Sequence, residues 1–328
     1  MMNSRSLRRR GFTLVELMVV IVIVASLASL IIASVIGSLT KGKEARNRVD
    51  ITQLEVALEQ FKQRFGMYPP SRIKLCERLS YYDLTTTASG APNNQLDYDS
   101  VQTLTSMFPR IDTTGWTAIG IDWNGNGAID SFASPLLPGM DGPGAITLEG
   151  DQCLVFFLGG IPGAGPSCLG FAADPKNPAN SLSTDRIGPF FEFPSSRLGA
   201  SRFASNAYNT YYSYADTFGF PYAYFSAYKV RNGYNRYFTC TAPSYVLGIP
   251  FTNSDCQTTL GVSPYLQTAV QYHKPTSFQI MSAGADNSFA AGGVIWTPQS
   301  VPSICAQGTS GYDDQANFTS GVLGAGVE

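Results

Sequence analysis

The chain has 328 residues, with 22 Lys and Arg against 24 Asp and Glu, so its formal charge of −2 offers no basic field for a nucleic-acid backbone. Only 14% of the residues are charged, while 32 Gly, 17 Tyr and 20 Phe are present, a composition of loop-rich β structure rather than of a cytosolic helical enzyme. The length leaves room for one large or two modest domains beyond any anchor.

Residues 1–11 read as a leader carrying Arg5, Arg8, Arg9 and Arg10. Residues 11–40 follow as GFTLVELMVVIVIVASLASLIIASVIGSLT, in which no charge lies between Glu16 and Lys41. The run exceeds the about 20 apolar residues that cross a bilayer as a helix. It is also too long for the roughly 7–15-residue apolar core of a cleaved secretory signal. Lys41, Lys43, Arg46 and Arg48 balance the leader arginines, so the positive charges do not set an orientation.

Residues 12–65 contain no proline and only Gly37 and Gly42, and read as one helix, which would be roughly 80 Å long. Leu54, Leu58, Phe61 and Phe65 form an apolar stripe at helical spacing, the face expected to carry a globular head. Gly66 and Pro69-Pro70 end the helix. Residues 84–100 are polar and turn-rich and read as loop, and Cys153–Leu158 (CLVFFL) before Gly159-Gly160 reads as a buried strand. The stretch 159–166, GGIPGAGP, lacks the spacing of a phosphate loop and reads as plain loop. Phe190–Phe193 and the aromatic run Tyr222–Val230 read as further strands.

The stretch GFTLVELMVV resembles the class III signal of type IV pilins and type II secretion pseudopilins. The resemblance implies cleavage by a prepilin peptidase between Gly11 and Phe12, N-methylation of Phe12, and Glu16 at the family's acidic position. It also implies a leader in the cytoplasm and the bulk outside. LEVALEQFKQRFGMYPPS (54–71) resembles the segment after the anchor in the major, G-type pseudopilin. DTFGFPYAYF (216–225), SFQIMSAGADN (277–287) and Asp313-Asp314-Gln-Ala-Asn317-Phe318 resemble its C-terminal elements, with Phe218 where the family has Trp. Ala33 stands where many members have a proline. The likeness covers 11–70, 216–230 and 277–318, so 71–215 reads as an insertion.

The expected fold is α+β: a long N-terminal anchor helix packed on a small antiparallel β-sheet, pilin-like, with a large loop-rich insertion. The expected divisions are 1–11 leader, 12–40 transmembrane and assembly helix, 41–70 its continuation on the head, 71–215 insertion, and 216–328 pseudopilin-like β region. The resemblance implies a structural subunit of a periplasmic pseudopilus in a type II secretion system, anchored by a single pass in the inner membrane. Its partners would be further copies of itself, the prepilin peptidase, other pseudopilins, the inner-membrane secretion platform and the membrane. The alternative is a type IV pilin-like surface or adhesion protein with the insertion as its ligand-binding module.

Three kinds of site are expected. Glu16, by resemblance, pairs with the Phe12 amine of its own or a neighbouring subunit. Asp122, Asn124, Asn126 and Asp130, with Gly127 and Ile129, match the first nine positions of an EF-hand-like Ca²⁺ loop. Ala133 takes the twelfth position, where an acid belongs, leaving Asp141 as one possible substitute. By resemblance, Asp286, Asp313 and Asp314 form a C-terminal Ca²⁺ site. Cys76, Cys153, Cys168, Cys240, Cys256 and Cys305 are disulfide candidates: Cys153–Cys168 and Cys240–Cys256 are close in sequence, leaving Cys76–Cys305, with connectivity open. His273 is the one histidine, and GxSxG, HExxH and paired catalytic carboxylates are not found, so enzyme chemistry is not expected.

Overall fold

A computed structural model describes residues 13–131, 141–142, 144–200, 211–237, 254–256 and 260–326, without the side chains at 30–34, 36 and 200. The chain divides into two compact units, residues 1–45 and 46–328. Helix α1 (Leu14–Phe65) runs through the expected helical stretch. In the first unit its apolar side chains, from Leu14 and Val15 to Leu27 and again at Val35 and Leu39, are exposed. Among the described residues no helix is long and apolar enough to cross a membrane.

In the second unit the helix behaves as its stripe requires. Ile51, Leu54, Ala57, Leu58 and Phe61 are buried, and Phe61 meets Phe65, Phe157 and Phe190 at ring distances of 4.6, 5.8 and 5.4 Å. Strand β1 (Ile73–Cys76) pairs antiparallel with β2 (Ala145–Leu148). Between them lie α2 (Gln95–Met107) and the short α3 (Thr113–Ala118). After β2 come α4 (Gly150–Gly159) and two small hairpins, β3 (Phe171–Ala172) with β4 (Arg186–Ile187), and β5 (Leu198–Ala200) with β6 (Tyr212–Tyr214). The C-terminal part holds β7 (Ala223–Ser226), the hairpin β8 (Leu266–Thr268) and β9 (Gln271–Tyr272), β10 (Phe278–Ser282) and β11 (Gln315–Ala316). The central sheet has the order β11-β10-β7 and is antiparallel throughout.

That sheet is buried on both faces, and the period of two along each strand sorts the side chains. Tyr224, Phe278 and Ile280 join a core that includes the α1 stripe, β1, β2 and α4. Ala223, Phe225, Met281 and Ala316 face a second core built with Tyr265, Trp296, Cys305 and Leu323. Residues of 71–215 therefore share a core with the helix and the C-terminal sheet.

Three local expectations are corrected. Cys153–Leu158 lies in a helix, α4, whose residues are all buried. Apolar periodicity cannot separate a buried strand from a helix that is apolar all round, and here Gln152 reaches back to the Glu149 amide at 3.3 Å to start the helix. Gly150 permits this packing, because a Cβ there would stand 1.9 Å from the Tyr224 carbonyl oxygen. Residues 95–100, read as loop, open α2: Asn94 caps it by accepting from the Asp97 amide, and the buried face starts with polar Asp97 and Ser100. Phe190–Phe193 forms no strand. Pro189 and Pro194 bracket it, and its rings, not a backbone ladder, hold it against Phe61, Phe65 and Tyr214.

Candidate functional site

The helix begins with a reciprocal cap. Glu16 Oε2 accepts from the Thr13 amide at 3.1 Å and from Thr13 Oγ1 at 3.0 Å, while Thr13 Oγ1 accepts from the Glu16 amide at 3.1 Å. Gly11 and Phe12 lie outside the described residues.

At the start of the second unit a polar group continues the apolar stripe. Asn47 is fully buried, and its Nδ2 donates to Ser282 Oγ at 2.7 Å and to Gln315 Oε1 at 3.0 Å. Tyr222 donates its hydroxyl to Asn47 Oδ1, and Ser282 donates to Asp216 Oδ2. Asp216 Oδ1 meanwhile accepts from the amides of Phe218, Gly219 and Phe220, which folds the turn ahead of β7. Burial raises the Asp216 carboxyl above its ordinary range. Asp50, one turn along the helix, meets Arg197 at 2.7 Å, and that guanidinium lies over the Tyr214 ring. This network was not expected from the sequence. Its signal was present, because Asn47 and Ile51 extend the Leu54, Leu58, Phe61, Phe65 spacing backwards.

The 122–130 loop turns tightly around its oxygens. Asp122 accepts from the amides of Asn126 (3.2 Å) and Gly127 (2.8 Å), and Asp130 Oδ2 accepts from the side-chain amides of Asn124 (3.0 Å) and Asn126 (3.1 Å). Gly127 has φ +84°, a left-handed conformation that glycine adopts freely. Ala133 lies outside the described residues. Asp141 is engaged elsewhere, by Thr147 Oγ1 at 2.8 Å and Lys74 at 3.7 Å. Glu77, just past β1, accepts from the Asp130 amide through Oε2. Its Oε1 is buried with no hydrogen-bond partner. Burial raises the Glu77 carboxyl to about 7, helped by the charges of Asp130 and Asp122. Glu77 was missed because it stands far from the loop in sequence and no spacing links them.

The C-terminal carboxylates are neighbours. Asp313 Oδ2 accepts from the amides of Ala285 and Asp286, and Asp314 Oδ2 accepts from that of Ala290 at 3.0 Å. Asp314 Oδ1 is buried without a partner. Its carboxyl is pushed well above the ordinary range by burial, then by the charges of Asp313 and Asp286. Among the described residues no group of three or more His, Cys, Asp or Glu side chains is gathered as a metal site. His273 is a core residue: its Nε2 pairs with the Trp296 carbonyl oxygen at 2.8 Å, and its ring stacks on Phe318 at 4.2 Å.

Comparison with known proteins bears on the N-terminal end. The family description "Prokaryotic N-terminal methylation motif" matches residues 6–32. The chain is 45% identical over 62 residues to the type II secretion system core protein G of Pectobacterium carotovorum subsp. carotovorum, covering 19% of this chain and 40% of that protein. It is 44% identical over 62 residues to the core proteins G of Klebsiella pneumoniae and Escherichia coli K12, covering 44% and 43% of them. The likeness to the type II secretion core proteins G is thus confined to a short part of the chain. The chain spans about two fifths of the length of these relatives, and no solved structure matches it.

Among the described residues the expected disulfides are not formed. Cys76, Cys153, Cys168, Cys256 and Cys305 are all free thiols, and Cys240 lies outside the described residues. Cys168 packs against Gly159, six residues along α4 from Cys153. Cys153 thus sits about 9 Å of helix from the residue that Cys168 packs against. Cys76 belongs to the first core and Cys305 to the second, where it contacts the Tyr265 hydroxyl at 3.4 Å. Burial raises the Cys153 and Cys256 thiols well above their ordinary value, Cys168 to about 12 and Cys305 to about 11.

Proposed function

We propose that this chain is a pseudopilin subunit of a type II secretion system. It is cut between Gly11 and Phe12 by a prepilin peptidase, methylated on Phe12, and held by a single pass of residues 12–40 in the inner membrane with its bulk in the periplasm. There it joins other pseudopilins in a pseudopilus that helps export folded proteins through the inner-membrane platform. The role is structural rather than enzymatic. The observation that carries this reading is the methylation-motif match at 6–32, joined to identity with the core proteins G.

The chemistry of the helix start supports it. Once the leader is removed Thr13 becomes the second residue, and Glu16 already holds the Thr13 amide. Its carboxylate then lies one residue from the new Phe12 ammonium. An isolated charge in an apolar bundle costs several kcal/mol, and a paired one much less. Glu16 therefore selects the register in which a subunit enters the filament. Calcium at Asp286, Asp313 and Asp314 belongs to the same reading, supported by the partnerless Asp314 Oδ1.

Filaments sheared from cells that overproduce the tagged chain test this reading. The expected result is the chain within short filaments, and their loss in Glu16→Ala although the variant still enters the membrane. Chain exposed on the cell surface as single subunits that bind glycans or host cells would instead support the adhesion reading.

A further inference from the structure

A cavity of about 160 Å³ opens between residues 67–70 after α1, one face of α2 and the loop after β7. We infer that it takes a carboxylate presented beside an apolar side chain on an acidic segment of a partner protein. Its wall is aromatic. Tyr68, Tyr228 and Tyr237 line it, and their hydroxyls are already engaged, by Glu59 at 2.6 Å, Asp255 at 2.8 Å and Asp99 at 3.2 Å. The rings therefore offer apolar surface rather than polar handles. Asp99 is the one acid among the described residues that line the cavity, and it is also satisfied, by Gln95 at 2.8 Å and by Arg236 Nε at 2.7 Å.

The charge left over is positive. Arg236 commits only its Nε to Asp99, which leaves both NH₂ groups of the guanidinium, and Lys229 forms no ion pair among the described residues. A guanidinium fork with an ammonium on the same cavity suits a carboxylate. Residues 229–236, KVRNGYNR, hold Lys229, Arg231 and Arg236 and no acid, in a protein of formal charge −2. Such a basic island selects an acidic partner. The lining favours a protein over a free small molecule, since Tyr, Met and Arg, here with Met67 and Arg236, are enriched where proteins bind. The loop is also held ready. Tyr228 and Lys229 sit consecutively at φ +47° and +61°, a conformation costly for both residue types. Tyr228 is pinned by the buried Asp255, which accepts from Ser71 as well at 2.6 Å, and the Asn232 amide donates to the Pro275 carbonyl oxygen at 2.7 Å. Strain that the surroundings maintain is a mark of a binding loop, and a fixed loop has less order to gain when the partner arrives.

Saturation-transfer NMR on the purified full-length chain tests the site, with acetyl-Phe-Glu-amide as the probe and acetyl-Phe-Gln-amide as its uncharged counterpart. Expected is transfer to the phenyl protons of the Glu peptide that weakens with added salt, and much less transfer to the Gln peptide. Lys229 is exposed, so Lys229→Glu should leave the melting temperature unchanged. It should raise the binding midpoint about tenfold or more, because it sets a like charge against the carboxylate. Ser106→Trp changes an exposed α2 residue that lines the cavity, and should fill the space and abolish transfer. No transfer from the parent chain would overturn the site. Equal transfer to the two peptides would overturn the recognition of charge. Transfer that survives both Lys229→Glu and Ser106→Trp would put the peptide elsewhere and overturn the assignment to this cavity.

Discussion

The two parts of α1 arrange their apolar residues differently and treat them in opposite ways. In the first unit Leu14 is 74% exposed and Leu39 is 64% exposed, and the apolar side chains between them are arranged all round the helix. In the second unit Leu54, Leu58 and Phe61 are wholly buried, and the charges lie off that stripe. A stripe can be satisfied by the chain's own head. A helix apolar all round cannot, and needs a membrane or a bundle of further helices. Arrangement around the helix, together with apolar content, separates the stretch packed on the head from the stretch left exposed.

The largest effect that sharpens this comparison is Phe61→Ala. It removes a ring packed against three others and should cost about 3–5 kcal/mol of unfolding free energy in denaturant titration. The counterpart, Leu17→Ala, alters an exposed side chain and should stay within about 0.5 kcal/mol. A comparable loss from the two would break the comparison. Next is Asn47→Ala, which leaves the Tyr222 hydroxyl and Ser282 facing an apolar gap. It should cost about 1–3 kcal/mol and slacken the helix on the sheet, seen as faster amide exchange in Phe278–Ser282. Arg197→Met should cost about 1 kcal/mol, since its ion pair with Asp50 is partly open to water.

The smallest effect is one of pH. Burial holds the His273 imidazole below its ordinary value, so it folds neutral. As pH falls through about 6.5 the unfolded chain takes up this proton first. Stability from this site is thus fully present above that pH and is lost below it. The drop in melting temperature between pH 7.5 and 5.5 should shrink in His273→Phe, whose ring can still stack on Phe318.

Much of the α1 geometry was readable from sequence, because an uninterrupted helical stretch ending at Gly66 and Pro69-Pro70 admits few alternatives, whereas β10 was reached only through the resemblance of SFQIMSAGADN. What escaped lay where burial is reached without periodicity. Helix α4 is apolar on every side, and α2 buries Asp97 and Ser100 against Lys74. The Cys153–Cys168 expectation assumed that sequence proximity means contact, whereas α4 carries the two ends apart. Asn47 was legible as a polar member of an apolar stripe. Glu77 was not, since only the fold brings it to Asp130.

The reading of the first unit as an assembly helix stands most directly on its N-terminus. Intact mass and N-terminal sequencing of the protein from its native membrane measure that end. The account predicts a mature chain that starts at methylated Phe12. A chain that still carries Met1 or Met2 would contradict it, and would make the exposed helix a static anchor rather than a filament subunit's.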